Sequence, residues 1–553
     1  MSKYGLKIKK FDAATIHEYN LGLRSYMSYS DAMLCNSLFL YYIRDNGLTE
    51  HNGSTRDIIC LDFNFGSRSY EEDAKRAKDN PELLAKIEAN KDKYHKITKE
   101  ELREQFYKNG ITITYANGEA MSYRMLYRNP SKAKVGQVMF INEKLYERAY
   151  DWLTMGLGKQ KPNKIVELSA YAPLTTSTIE STFRLSFDDL LIVSEGQSKT
   201  KVNAKVVYAN HGNAAVKDEM VEVTNNVWDG MALIEPSILP KNINGMALLR
   251  NHFFKACAFK ARIQLFIKDW CESKGVDYDS LKLQDCFGNW HLAKNIKMIT
   301  TDSSVKWMKF RQYMGDNPYE YWKERCEGFP NEEKRSFSEF GIVKTDHPSK
   351  LEDVQQMSYQ MVNTLPCTED DINLLAKNSM DYVEALKKNE RVFTKFLRKN
   401  ANIVNHYDMM ADLYEWNHDF ADSAWYRREK AVIIKSYVDK LKTGKITVPG
   451  DNLTVCGNPY GLLLHAVGDD WTKDPTFENE ENCIQCYAPM FRDREYLCAI
   501  RNPHNSPNNL AYLHNHKNPE MQRYFEFSKN IVAVNCIKTD IQDRMNGADF
   551  DLT

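Results

Sequence analysis

The sequence predicts an α+β protein of several domains, in which two β-rich units are separated by a long helical tract. The chain has 553 residues, and a chain of this length is expected to form about three to five packed units rather than one core. Short apolar runs broken by Gly, Asn and Pro predict the β-rich units. Periodic stretches rich in helix-forming residues predict the helices.

Four regions follow from these patterns. Residues 1–165 are predicted to be an α/β region with strands at 56–65 and 136–142, and residues 166–345 a β-rich region with one inserted helix over 254–275. Residues 346–443 are predicted to be a helical connector. The last region, 444–553, is again predicted to be β-rich, with strands at 445–449, 458–467, 483–490, 495–503 and 530–537.

Composition places the protein in a broad class. An apolar fraction of 42% and 31 tyrosines indicate a folded, aromatic-rich chain. The first 20 residues lack the apolar core of a signal peptide, and no window holds the roughly 20 apolar residues of a membrane span, so a cytoplasmic protein without a membrane partner is expected. The 12 cysteines are scattered singly, as in a reducing compartment.

Several familiar motifs are missing or incomplete. The sequence contains no P-loop, GxGxxG fingerprint, HExxH or GxSxG, which argues against the commonest nucleotide hydrolases, dehydrogenases, metalloproteases and esterases. Cys483 and Cys486 form a CxxC, but no second pair stands at zinc-site spacing. We therefore interpret these two cysteines as strand residues rather than as a metal or redox site.

Positive charge is concentrated in one segment. The net charge is −1, yet residues 241–310 contain 12 Lys and Arg against 6 Asp and Glu. This excess predicts either a surface that faces a polyanion or an ordinary solvated basic face, and the count alone does not separate the two.

The C-terminal segment carries a candidate metal site. An apolar strand is followed by a turn with Asn546 and Gly547, and then by Asp549 and Asp551. Alternate residues of an extended segment point to the same side, so both carboxylates can face one cation. Mg²⁺ prefers such hard oxygen ligands and keeps other positions for water and phosphate.

This segment resembles the catalytic region of two-barrel RNA polymerases. In the largest subunit of cellular RNA polymerases an Arg-Ala-Pro element precedes an Asn-Ala-Asp-Phe-Asp-Gly-Asp loop. The similarity is closer to the eukaryotic-type RNA-dependent RNA polymerases of RNA silencing and their single-chain phage relatives, where Arg-Asn-Pro leads to Asp-x-Asp-Gly-Asp. The matching residues here are Arg501, Asn502 and Pro503, then Asp549 and Asp551.

The resemblance extends upstream through short ordered motifs. WDGMALIEPSIL (228–239) is similar to an Asp-Gly-x-Gly-x-Ile-x-Pro-Ser element, and Arg250 and Lys255 have the spacing of the family's Arg…Gly-x-Lys motif. ITTDSSVKWMKF (299–310) resembles the element that supplies a second lysine, which is either Lys306 or Lys309. These matches cover residues 165–553.

The resemblance implies a specific fold and activity. It implies two double-psi β-barrels, one carrying the lysines and one the aspartates, joined by the helical connector. The implied reaction is template-directed RNA synthesis from nucleoside triphosphates by a two-metal mechanism, with Mg²⁺, or Mn²⁺ as the alternative ion. The template is RNA or single-stranded DNA. The mixture of motifs suggests a bacterial or phage origin.

The chain departs from the family pattern at its end. It reads Asp549-Phe550-Asp551-Leu552-Thr553, without the third aspartate. We expect either a truncated polymerase or a barrel that a second polypeptide completes, and the alternative function is a catalytically dead nucleic-acid-binding remnant. A glycosyltransferase with an Asp-x-Asp pair is a further rival, but it requires an α/β sugar-nucleotide domain before the pair, where the sequence predicts barrel strands.

Overall fold

The computed structural model describes residues 5–45, 53–64, 70–93, 97–128, 136–160, 162–327, 336–347, 354–402 and 404–550. Asp551 lies outside the described residues. No helix in these segments has both the length and the apolar character needed to cross a membrane.

The N-terminal unit is a six-stranded sheet with helices around it. Strand order is β2-β1-β3-β6-β5-β4, with β1 and β3 parallel and the other neighbours antiparallel. Both sheet faces are buried, since Ile58 and Cys60 pack in one apolar cluster and Ile59 and Leu61 in another. The strands are β1 Leu6–Asp12, β2 Tyr29–Leu34, β3 Ser54–Asp62, β4 Ile111–Thr114, β5 Ala120–Arg128 and β6 Gln137–Asn142. The helices are α1 Ala13–Asn20, α2 Leu38–Asp45, α3 Tyr70–Arg76, α4 Pro81–Ala89, α5 Lys99–Asn109 and α6 Glu143–Leu153.

The next unit is built on a mixed seven-stranded sheet of order β7-β17-β12-β13-β11-β16-β8. A long hairpin, β9–β10, and a short one, β14–β15, lie outside this sheet. The strands are β7 Ser181–Leu185, β8 Leu190–Val193, β9 Gln197–Asn210, β10 Asn213–Asn226, β11 Met231–Ile234, β12 Met246–Asn251, β13 Phe254–Lys260, β14 Lys282–Gln284, β15 Trp290–Leu292, β16 Met298–Thr301 and β17 Ser338–Thr345. The helices are α7 Ile165–Tyr171, α8 Ile263–Lys274 and α9 Pro318–Glu327.

The helix predicted over 254–275 is only half correct. Its second part is α8, which ends on Gly275 in the left-handed conformation. Its first part is strand β13, which pairs with β12 on one side and with β11 on the other. The strand is buried on both sides, and such an apolar run has no period that distinguishes it from a buried helix.

The connector is helical, as predicted, apart from a short strand pair. β18 Val354–Gln356 pairs with β19 Thr447–Pro449. Residues 354–356, which were predicted to be helical, therefore form a strand. The predicted strand at 445–449 is present and pairs with this part of the connector. Its helices are α10 Tyr359–Thr364, α11 Glu369–Lys388, α12 Glu390–Asn400, α13 Tyr407–Trp416 and α14 Ala424–Lys442. These helices enclose their own apolar cluster around Phe393, Tyr426 and Ile433.

The C-terminal unit is a five-stranded sheet of order β20-β24-β21-β23-β22. The strand predicted at 458–467 is instead helix α15, which starts with Pro459, a residue well suited to a first helical turn. The strands are β20 Thr454–Cys456, β21 Ile484–Tyr487, β22 Tyr496–Ile500, β23 Leu510–Asn515 and β24 Ile531–Val534. The helices are α15 Pro459–Ala466, α16 Pro519–Tyr524 and α17 Ile541–Arg544.

One apolar core joins the two β-rich units. It contains Leu248 and Cys257 from the seven-stranded sheet together with Leu513 and Val534 from the five-stranded sheet. The protein is therefore of the α+β class, and its two β-rich units pack directly on each other.

Candidate active site

Hairpin β12–β13 carries the first pair of predicted site residues. Arg250 and Lys255 are directly opposite each other across the hairpin, so their side chains lie on one face. The next residues on that face, Leu248 and Cys257, belong to the core shared with the C-terminal unit. By strand alternation Arg250 and Lys255 therefore lie on the side of the sheet that faces the aspartate-bearing unit.

Burial distinguishes the two cations. Arg250 is 9% exposed, and its Nη1 donates to the carbonyl of Leu249 at 2.8 Å. Lys255 is half-buried. The hairpin turn is His252–Phe253, and Phe253 has a φ of 49° although it is not glycine. His252 in this turn is buried against Trp152, and burial lowers its pKa to about 3, so it is neutral at physiological pH.

The structure separates the two candidate second lysines. The backbone N–H of Lys306 donates to the carbonyl of Phe253 at 2.7 Å, which places Lys306 beside the hairpin. Its Nζ donates to the carbonyl of Ser303 at 2.6 Å. Lys306 begins a 3₁₀ helix, Lys306–Tyr313, and Lys309 lies one turn farther along it. Lys309 is exposed, and its Nζ donates to the Tyr171 hydroxyl at 3.0 Å. Of the two lysines, Lys306 is thus the one whose backbone contacts the hairpin that carries Lys255.

The loop with Asp549 is docked on the other unit. The N–H of Phe550 donates to the carbonyl of Asp229 at 2.8 Å, and the Phe550 ring is buried in the shared core. On the other side of Asp549, the N–H of Ala548 donates to the backbone carbonyl of Gln542 at 3.3 Å. Asp549 is half-buried between these two contacts.

Backbone conformation shapes this loop. Asn546 and Gly547 both have positive φ, 57° and 68°. A glycine and an asparagine are the residues that adopt this conformation at least cost, so the sequence places them where the chain must leave α17 and turn.

Arg501 and Asn502 contact the protein itself. Arg501 Nη1 donates to the carbonyls of Met545 and Asn546 at 3.0 and 3.1 Å, at the point where the aspartate loop begins. Asn502 accepts from the Ser358 hydroxyl at 3.2 Å and so faces the connector. In this structure Arg501 holds the loop that carries Asp549.

A partly buried hydrogen-bond network that sequence reasoning missed supports the turn at 228–230. Glu195 accepts from the N–H of Trp228 at 2.8 Å and from the Thr301 hydroxyl at 2.7 Å. The Ser303 hydroxyl accepts from the N–H of Gly230 at 3.0 Å. Burial raises the pKa of Glu195 to about 7, although these hydrogen bonds act to lower it. Glu195 belongs to no sequence motif, so the sequence contains no signal that would have identified it as a site residue.

The turn at 228–230 therefore connects the aspartate loop, strand β13 and the segment with Lys306. Asp229 accepts from the aspartate loop, and the carbonyl of Gly230 accepts from the N–H of Cys257, two residues after Lys255. Ser303 contacts both Gly230 and Lys306. The arrangement brings Asp549 to the lysine-bearing sheet through short backbone contacts. Carboxylate oxygen on one side and fixed cations on the other are the groups that a metal ion and a polyphosphate require.

The basic segment 241–310 is partly neutralised by ion pairs with the rest of the fold. Three of its cations, Arg262, Lys274 and Lys297, form ion pairs with acids outside the segment, namely Glu526, Asp469 and Asp189. These three pairs offset part of the segment's excess of positive charge.

Comparison with known proteins shows the fold. No protein-family profile matches the sequence, and no curated protein matches it. Among solved structures, the chain is similar to "RNA dependent RNA polymerase QDE-1 from Thielavia terrestris", with a TM-score of 0.55 and 11% sequence identity over 100% of this chain. The similarity covers 53% of that protein, so this chain spans about half its length.

Proposed function

We propose that this chain catalyses template-directed RNA synthesis, the transfer of nucleotidyl groups from nucleoside triphosphates to an RNA 3′ end. The hydrogen bond from Phe550 to Asp229 carries the proposal, because it holds Asp549 against the sheet that presents Arg250 and Lys255. The fold similarity to an RNA-dependent RNA polymerase agrees with this assignment. In this proposal the template is either RNA or single-stranded DNA.

In this proposal the cations bind the triphosphate. Lys255 and Lys306 meet its phosphate oxygens and stabilise the charge that develops on the leaving pyrophosphate. Arg250, more deeply buried, contributes positive potential at the same face. Arg501 is a positioning residue, since it contacts the aspartate loop through backbone carbonyls.

The donor set suits a divalent ion. Asp549 is a half-buried carboxylate whose neighbours on both sides are fixed by hydrogen bonds, and Asp551, outside the described residues, supplies a second carboxylate two positions later. These hard oxygen ligands fit Mg²⁺, and Mn²⁺ equally. When bound, the ion would polarise the attacking 3′ hydroxyl and neutralise charge on the phosphate.

The test is nucleotide incorporation with a separate measurement of template binding. Labelled nucleotide incorporation on primed RNA and primed single-stranded DNA should require Mg²⁺ and be abolished by Asp549→Asn. Lys255→Gln should reduce incorporation by about 10²-fold, the usual cost of one fixed electrostatic contact. Lys309→Gln is the matched control, because this exposed lysine donates to Tyr171 and should change incorporation little.

Three outcomes distinguish the alternatives. Incorporation that depends on Asp549 and Lys255 supports the polymerase. Salt-sensitive binding of single-stranded nucleic acid without incorporation supports the nucleic-acid-binding remnant. If the protein shows no incorporation and also no binding of nucleic acid, the proposal is refuted.

A further inference from the structure

Three side chains with different metal-binding atoms converge at one end of the C-terminal sheet. The carboxylate oxygens of Glu480, the Sγ of Cys483 and the Nδ1 of His514 all lie within 4.8 Å of one another. The Nδ1 of His514 is 2.8 and 3.0 Å from the two oxygens of Glu480, and the Sγ of Cys483 is 2.7 Å from one of them. All three residues are half-buried.

The backbone holds these residues together independently of the side chains. Glu480 and Cys483 lie in a tight turn that is closed by a bridge between Asn479 and Ile484. His514 is opposite Gln485 in the parallel pair β21–β23. The turn and the strand therefore meet at a fixed distance.

A second layer of contacts orients the three groups. The Nε2 of Gln485 donates to Glu480 at 2.6 Å, and Gln485 itself accepts from the N–H of Glu478 at 2.8 Å. The ring of His514 stacks on Tyr496 with centroids 4.4 Å apart and an interplanar angle of 12°. Metal ligands in proteins are oriented in this way by outer hydrogen bonds and packing.

We propose that Glu480, Cys483 and His514 form a zinc site. A sulfur, a nitrogen and a carboxylate oxygen are the donors that Zn²⁺ takes, and three protein ligands leave a fourth position for water or another ligand. Thiolate and imidazole select against Mg²⁺, so this site differs in chemistry from the carboxylate site at Asp549. A thiolate and a carboxylate also neutralise the charge of a divalent ion.

The geometry requires only small movements to admit the ion. Zinc bonds of about 2.0–2.3 Å in a tetrahedron place neighbouring ligand atoms about 3.3–3.5 Å apart. The present separations are shorter than this for the contacts to Glu480, and rotation of half-buried side chains can open them. Bound zinc would link the turn at 479–484 to β23.

The CxxC pattern itself does not form this site. Cys486 is fully buried, and its Sγ is directed at Asn515 rather than at Cys483. Only the first cysteine of the pair joins the cluster, and its partners come from positions 480 and 514, which no zinc spacing motif connects. The inference is independent of the proposed polymerase activity.

The experiment uses Co²⁺ as a spectroscopic probe on the full chain after treatment with a chelator. Wild-type protein should bind one equivalent of Co²⁺ with a thiolate-to-metal charge-transfer band, which Zn²⁺ displaces and excess Mg²⁺ does not. Cys483→Ser should abolish the band, and Glu480→Gln and His514→Gln should weaken binding at least about 10-fold. Cys498→Ser is the matched control, because this cysteine is exposed on β22 and outside the cluster.

Thermal unfolding of each variant without metal shows whether it is folded, and Glu480→Gln retains the size of the side chain in case Cys483→Ser is unstable. Zinc should raise the unfolding temperature of wild type and of the control but not of the ligand variants. Absence of the band in wild type, or a band that persists in folded Cys483→Ser, would overturn the proposal and leave a hydrogen-bonded cluster only.

Discussion

Substitution of Gly457 by alanine tests whether the docking of the aspartate loop depends on a close backbone approach. Gly457 follows β20 and is buried beside the segment that leads to Asp229. A Cβ at this position would overlap the carbonyl oxygen of Val227, and it would lie 3.1 Å from the carbonyl carbon and 3.0 Å from Cε2 of Phe550. A methyl group at position 457 would therefore clash with both the Val227 backbone and the Phe550 ring.

The size of the effect follows from these distances. Non-bonded heavy atoms prefer about 3.5–4.0 Å, so relieving the overlap with the Val227 oxygen requires a movement of more than about 1 Å. Overpacking of this kind costs about 1–3 kcal/mol of unfolding free energy. A displacement of about 1 Å in a catalytic loop reduces the rate about 10²-fold. We expect both losses in Gly457→Ala.

Gly461→Ala provides the matched control. Gly461 lies four residues later in α15, where a Cβ would have its nearest neighbours at 3.4 Å, an ordinary contact. Alanine favours a helix by up to about 1 kcal/mol over glycine, so this variant should be as stable as wild type or more so. Urea unfolding and nucleotide incorporation are measured for both. If Gly457→Ala unfolds at the wild-type midpoint, the close approach does not hold the loop.

Further predictions concern individual side chains of the site. Lys306→Ala should raise the KM for nucleoside triphosphate more than Lys309→Ala, because Lys306 lies beside the hairpin and Lys309 contacts Tyr171; equal effects in steady-state kinetics would contradict this placement. Arg501→Ala should lower kcat and leave template binding in a filter assay unchanged, because the Nη1 of Arg501 donates to the carbonyls of the aspartate loop; a loss of template binding alone would assign it to the nucleic acid instead. Glu195→Gln should remove a pH dependence of stability. The pKa of Glu195 is raised to about 7 in the folded chain from its ordinary value of 4.5, so the folded state binds more protons between these pH values and stability falls as pH rises through them, by about 3 kcal/mol at most. Unfolding midpoints measured from pH 4.5 to 8 should fall more for wild type than for the variant, and parallel profiles would refute the assignment.

The local patterns of the sequence determined the class of the fold, and the candidate site residues were predicted from short motifs. The α+β class and the helical connector follow from periods of apolar residues that depend only on neighbours along the chain. The aspartate loop is visible because Asn546 and Gly547 permit the turn before Asp549. Arg250 and Lys255 were identified through short motifs, and the structure places them opposite each other.

Local patterns do not distinguish a strand from a helix where a segment is apolar on all sides, because the alternation of apolar and polar residues is then lost. Residues 254–260 are covered on both sides by other strands, and residues 459–466 are apolar nearly all round a short helix. In both cases the apolar run is compatible with a strand and with a helix, and packing against the neighbouring elements decides which of the two forms.

Only the tertiary structure decided which charged and polar groups meet. Three cations of residues 241–310 pair with acids outside the segment, one of them as distant in sequence as Glu526, and Lys306 rather than Lys309 has a backbone contact with Phe253 of the hairpin. Glu195 joins Thr301, and Glu480 joins His514, across long stretches of chain. Such pairs share no spacing that the sequence could reveal, since they are brought together by the packing of the sheets.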